Sequence, residues 1–282
     1  MKKLLTILSA ILITTALSCS GGGGDDSTPP TGFTGTPPKG VNCETGICSF
    51  LGVQPKIAGG ETCDDLNSPV VLLSLKDTTP RDYCSGVLIS NSIVLTAAHC
   101  VPFEEEITVT TGRYKTTVSD RFIHPRYELI SDSAGNLTDV IYDVAVLYLE
   151  DALPIKSFPL MYFEKASAND FGIAYGYGFD ENGSLGQFKG GLIPITKIDN
   201  EHIYSDYTKG YCSNTCRGDS GGPLVGIKDL PDGTRKFGVI GITSIGNAGV
   251  ACGDSEQTKY TNIQNDDIAR FIRILAEDAK FN

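Results

Sequence analysis

Short apolar or alternating runs recur along most of the chain: Val70 to Leu75, Gly86 to Ile89, Ile93 to Thr96, Ile107 to Thr111, Val144 to Leu149, Ile193 to Ile198 and Phe237 to Thr243. Most are too short for helices, and Gly, Pro, Asp and Asn punctuate them. Many short strands at such spacing predict an all-β barrel or sandwich. Near the end the period changes. Ile268, Phe271, Ile272 and Leu275 follow helical spacing behind Asn265 and Asp266, both suited to capping, so one helix is predicted over about 265–278. The beginning is different again. Lys2 and Lys3 precede an apolar run from Leu4 to Leu17, which is an export signal and too short for a comfortable membrane span. From Ser20 to about Gly40 the chain is Gly, Asp, Ser, Thr and Pro with almost nothing to bury, which predicts a flexible tether. Residues 41–282 suffice for one large domain or two small lobes.

Charge and cysteine content narrow the function. The net charge of −11, from 23 Lys+Arg against 34 Asp+Glu, argues against a nucleic-acid partner, because phosphate binding needs a concentrated basic surface. Nine cysteines in an exported chain read as disulfides, with eight left to pair if Cys19 is used otherwise.

Candidate chemistry centres on RGDSGGPL, Arg217 to Leu224, where Ser220 sits among glycines beside Asp219. A serine hydroxyl is a poor nucleophile near neutral pH, so acyl transfer requires a base to take its proton and a third group to orient that base. The chain has three histidines. His124 precedes Pro125 in a turn and His202 lies in a polar segment. His99, in LTAAHC, follows a predicted strand and two small alanines that let an imidazole stand clear. In YDVAVLYL, Asp143 opens an apolar strand where an unpaired carboxylate would be costly to bury, and an imidazole N–H is a suitable donor for it. Asp139, four residues upstream, competes for that role, but Asp143 starts the strand directly.

LTAAHC, DVAVLYL and GDSGGP, in this order, resemble the three signature segments of the trypsin/chymotrypsin-like serine proteases. The resemblance covers residues 57–282. It implies an all-β fold of two perpendicular six-stranded antiparallel barrels, about 57–156 and 157–262, with the site in the cleft between them and the helix following. It implies a serine endopeptidase in which Ser220 attacks, His99 shuttles the proton and Asp143 holds the imidazole. The backbone N–H groups of Gly218 and Ser220 would then form the oxyanion hole.

Lys56-Ile57-Ala58-Gly59-Gly60 resembles the family's activation site, with Ala58 in place of the usual valine. Cleavage there would free the Ile57 amino group to pair with Asp219, so residues 20–56 are expected to be tether plus propeptide. The spacing to Ser220 implies Asn214 at the base of the primary specificity pocket, where trypsin-like members carry aspartate. Thr215, Arg217, Ser244, Ile245, Gly246 and Thr258 would line the site. With Thr258 narrowing the pocket, small to medium uncharged residues are expected before the cut bond, so a separate lysine-preferring protease is expected to activate the chain. The resemblance also implies disulfides Cys84–Cys100 and Cys216–Cys252. Cys43, Cys48, Cys63 and Cys212 remain, with three pairings open; the four-residue spacer favours a local Cys43–Cys48 loop with Cys63–Cys212.

Ala16-Leu17-Ser18-Cys19 resembles the lipobox of bacterial lipoproteins, with residues 1–19 as the signal and Cys19 as the lipidated residue. The expectation is an exported monomer, lipid-anchored to a bacterial envelope, acting on proteins or peptides, with no cofactor and no metal. Arg113 stands where calcium-binding members carry a carboxylate. The alternative is an inactive protease-fold binding or structural lipoprotein.

Overall fold

The computed structural model describes residues 29–43, 47–48, 61–75, 83–102, 106–179, 186–207, 212–246 and 257–281. Sixteen strands and one α-helix are found among them. After the two-residue β1 (Glu61–Thr62) come β2 (Val70–Leu75), β3 (Tyr83–Leu88), β4 (Ile93–Thr96), β5 (Ile107–Thr111) and β6 (Tyr114–Ile123). The hairpin of β7 (Glu128–Ser131) and β8 (Leu137–Ile141) precedes β9 (Ala145–Leu149). Strands β2, β3, β4, β9, β6 and β5 close, in that order, into an antiparallel barrel. Strand β5 alternates buried and half-buried positions, as one wet face requires, whereas all four residues of β4 are buried.

The second half supplies β10 (Phe171–Gly176), β11 (Lys189–Pro194), β12 (Lys197–Ile198), β13 (His202–Asp206), β14 (Pro223–Asp229), β15 (Arg235–Gly246) and β16 (Gln257–Asn262). With β1 they form one eight-stranded antiparallel sheet in the order β1-β11-β10-β14-β15-β16-β13-β12. The all-β class and the first six-stranded barrel match the expectation. The second unit departs from it: the described strands form a curled half-barrel whose ladder does not close. The run Ile193 to Ile198, expected as one strand, divides at Ile195 and Thr196. Ile195 N–H donates to Asp170 O at 2.9 Å and Thr196 N–H to Tyr204 O at 2.9 Å, so the chain changes partners there.

Helix α1 (Asp266–Leu275) starts one residue inside the expected boundary. Asn265 caps it, its side-chain oxygen accepting from Asp267 N at 2.8 Å. Ile268 and Ile272 are fully buried. The Tyr148 hydroxyl of β9 donates to Leu275 O, and Arg126 pairs with Asp267 at 2.6 Å. The C-terminal helix therefore seats on the first barrel and ties the two halves together.

The segment expected to be a flexible tether is corrected in its second half. Phe33 and Val41 are buried, and Phe33 meets Phe171 edge to face at 5.0 Å. Thr34 N–H donates to Asn169 Oδ1 at 2.8 Å. The Phe33 ring, the buried Val41 and the Thr34 bond together dock this Gly/Pro/Thr stretch.

The expected disulfide pairing is also corrected. Cys43 bonds Cys212 and Cys48 bonds Cys63, with Cα separations of 4.6 and 5.4 Å. No local Cys43–Cys48 bridge forms, because the two cysteines reach different neighbours. Cys84–Cys100 forms as expected. Cys216 is disulfide-bonded, while its expected partner Cys252 lies outside the described residues, as do Cys19, Lys56 and Ile57.

Candidate active site

The end of β4 explains the placement of His99. The strand runs into a short 3-10 turn, Ala98–Cys100, whose first and last residues are buried, and the Cys84–Cys100 bridge ties this turn to β3. The imidazole between them keeps 30 % of its surface exposed. Asp143 lies two residues before β9, immediately after Tyr142, whose φ of +50° turns the chain.

The Asp143 carboxylate is fully buried and accepts three hydrogen bonds: from His99 Nδ1 at 2.7 Å, from the His99 backbone N–H at 2.9 Å and from Ser244 Oγ at 2.5 Å. Burial alone would raise its pKa, but the His99 and Ser244 contacts hold it below the ordinary carboxylate range. For His99, burial works against the cation, and the hydrogen bond and charge of Asp143 outweigh it, leaving the pKa above that of a free imidazole. Asp139 is placed elsewhere. It pairs with Lys259 Nζ at 2.9 Å and lies 3.5 Å from His202 Nε2. His124 is stacked on Tyr142 with ring centroids 4.8 Å apart.

Ser220 reaches this region through its backbone. Ser85 N–H donates to Ser220 O at 2.7 Å, Ser85 Oγ donates to Gly218 O at 2.8 Å, and Thr96 Oγ1 donates to Ser85 O at 2.8 Å. A Cβ on Gly221 would lie 2.1 Å from Thr96 Oγ1 and 3.1 Å from Ala97 N. The serine turn is thus pressed against the chain just before His99, and glycine is required for that approach. Gly218 has φ +92°, a left-handed conformation that also favours glycine.

Asp219 points into the protein. Its oxygens accept from Gly178 N at 2.8 Å and Cys216 N at 2.8 Å. Burial pushes its pKa up to about 6 despite those bonds and the charge of Lys189.

Among the pocket residues, Asn214, Thr215 and Thr258 are brought together. Thr258 Oγ1 donates to Asn214 Oδ1 at 3.0 Å and so accepts from Thr215 Oγ1 at 3.2 Å; Thr215 N–H also donates to Asn214 Oδ1, at 2.9 Å. Tyr260, fully buried, has its hydroxyl beside Thr215. Arg217 is exposed, and Ile245 and Gly246 end β15 at the surface.

Two residues carry contacts that the sequence did not announce. Ser244, expected only to line the substrate site, binds Asp143 because a bulge between Thr243 and Ile245 leaves it out of the β15–β16 ladder and re-aims its side chain. Ser85 was not singled out, although it touches Gly218, Ser220, Thr96 and Tyr177. Its position beside Cys84 was the only available signal. Cys84, His99 and Cys100 cluster as metal ligands can, but the two thiols are consumed by their mutual bridge.

The family model described as Trypsin matches residues 57–270. A trypsin of Saccharopolyspora erythraea is 29 % identical over 221 residues, covering 66 % of this chain and 91 % of that one. Lectizyme of Glossina austeni is 26 % identical over 66 % of this chain and 76 % of its own length. Granzyme-like protein 1 of Rattus norvegicus is 27 % identical over 65 % and 82 %.

Proposed function

The chain belongs to the trypsin family of serine endopeptidases, and from that premise we propose that it hydrolyses peptide bonds with Ser220, His99 and Asp143. The observation that carries this reading is the buried Asp143 carboxylate gripping His99 Nδ1 at 2.7 Å, with the Ser220 turn pressed on the chain just before that histidine. Ser220 Oγ attacks the carbonyl carbon as its proton passes to His99 Nε2. The backbone N–H groups of Gly218 and Ser220 receive the developing oxyanion, each donor contributing about 3 to 4 kcal/mol in such sites. His99 then gives the proton to the leaving amine, and a water repeats the sequence to release the acid.

The chain acts after a cut between Lys56 and Ile57. Asp219 supports this: among the described residues its carboxylate accepts from two backbone N–H groups, its burial still disfavours the charged form, and the new Ile57 amino group supplies a nearby cation. At the pocket base Asn214 offers no anion, and the Thr215–Thr258–Asn214 chain of hydrogen bonds fills that end with uncharged groups. Uncharged small to medium side chains fit before the scissile bond. The cut after Lys56 therefore falls to a separate protease.

The disulfides and the family support export, and no helix among the described residues is long and apolar enough to cross a membrane. Lipid on Cys19, a bacterial envelope location and a monomeric enzyme complete the proposal. A peptide-library digest with the cut protein tests the activity: cleavage after small uncharged residues, abolished in Ser220→Ala, is expected. Equal activity of the two proteins would exclude the mechanism, and its absence from both would favour a binding protein.

A further inference from the structure

The route of residues 29–43 and 47–48 carries a consequence for both activation and specificity. They lie on the second sheet, and each of their two cysteines bonds a residue beyond the expected cut at Lys56, so both bridges span it: Cys43 to Cys212 and Cys48 to Cys63. Non-covalent contacts follow the same path. Phe33 packs on Phe171, Arg235 donates to Lys39 O at 3.1 Å, and the Tyr175 hydroxyl donates to Ile47 O at 2.5 Å.

The attachment points are specific. Cys212 precedes Asn214 and Thr215 by two and three residues and has φ +52°, a strained conformation for a non-glycine residue that its surroundings must hold. Strand β11 receives both partners through adjacent glycines. A Cβ on Gly190 would lie 2.6 Å from Ile47 Cγ2, and one on Gly191 would lie 2.3 Å from Ser213 Cβ. Successive strand residues face opposite ways, so the N-terminal segment lies against one face of β11 and the wall carrying Asn214 against the other. Ser213 N–H donates to Leu192 O at 3.3 Å on the same strand.

We propose that residues 29–48 remain on the catalytic domain after cleavage as a permanent strap, and that the Cys43–Cys212 bridge positions the Asn214–Thr215 wall of the primary pocket. This rests on the proposed cut after Lys56 and on Asn214 as the pocket base. The enzyme would then be two chains joined by two disulfides, with the pro-segment as part of its specificity apparatus. Cys43, Cys212 and Ile47 are positioning residues here, acting through the wall without touching substrate.

The full-length protein, cut until N-terminal sequencing finds Ile57, tests the first half by intact mass. One species heavier by a single water is expected without reductant, and two chains with it. Loss of the pro-segment without reductant would overturn retention. The second half is read by comparing Cys43→Ser/Cys212→Ser with Cys48→Ser/Cys63→Ser, each still linked by one bridge. The first pair should raise KM for peptide substrates by about tenfold and broaden the preference before the cut bond, with fluorophosphonate labelling of Ser220 changed less than about twofold. The second pair should leave KM and preference as in the wild type. Equal effects of the two pairs, or none from the first, would overturn the positioning role. Should the first pair fail to fold, Ile47→Ala, which keeps both bridges and removes the contact at Gly190, is expected to raise KM in the same direction, and an unchanged KM would count against the strap. Linked chains that never label would refute the protease reading while leaving retention standing.

Discussion

Asp143 gathers three donors, and each has a different sequence visibility. The imidazole of His99 was legible because a carboxylate entering an apolar strand needs a partner and LTAAHC offered one. The His99 backbone N–H and Ser244 Oγ were not, since both depend on how two turns are folded. Replacing Asp143 by Asn removes the anion while keeping the shape, so kcat should fall by roughly 10³- to 10⁴-fold. The pH profile should change with it. Catalysis needs neutral His99, whose pKa lies above the free value while Asp143 is charged, so the acid limb of kcat/KM should lie above that of a free imidazole in the wild type. In Asp143→Asn only burial remains, and the limb should move to lower pH; an unmoved limb would mean that another group sets it. The pocket base makes a second test at this scale. Asn214→Asp places an anion where Thr258 and Thr215 now donate, and should raise relative kcat/KM for Lys or Arg before the cut bond by about tenfold or more. A profile indifferent to this change would remove Asn214 from the pocket.

At the level of elements, strands were legible where apolar residues were contiguous or alternated between turn residues, as in β2, β4 and β5. Those with glycine inside them, β10 (FGIAYG) and β14 (PLVGIKD), and the Thr- and Ser-rich β6 escaped the pattern because tertiary packing, not local preference, makes them strands. Bulges were equally hidden, and one of them delivers Ser244. The junction between elements depends on Ser85, fully buried on β3. Its hydroxyl donates to Gly218 O and accepts from Tyr177 N at 2.9 Å. Ser85→Ala would leave both groups without that partner. A loss of about 1 to 3 kcal/mol in denaturant unfolding is expected, together with a lower kcat from a less fixed Gly218 turn. Unchanged stability and kcat would show that the two halves are joined without it.

Across the whole molecule, the cysteine count and the signature segments were legible, but the pairing of four cysteines and the docking of residues 29–43 were not, because they depend on which loops meet in space. Charge adds a molecule-wide expectation. In the uncut chain Asp219 titrates at about 6 against about 4 when unfolded, so the folded form holds the extra proton between those values and stability falls as pH rises through that window. The contribution is about 3 kcal/mol. Asp143, with its depressed pKa, loses its stabilisation only as pH falls below the ordinary carboxylate range, and His99 loses its contribution as pH rises above the free imidazole value. His124, whose burial lowers its pKa, gives an opposite slope just below that value. The difference between wild type and Asp219→Asn therefore isolates the aspartate: the variant should lack the loss between about pH 4 and 6 and should stay inactive after the cut. Identical pH curves would separate Asp219 from activation. The most direct measurement is the site of fluorophosphonate modification in the protein cut after Lys56. A single adduct on Ser220 is expected, lost in His99→Ala and strongly slowed in the uncut chain. An adduct on another residue, or labelling of Ser220 that is indifferent to His99, would contradict it.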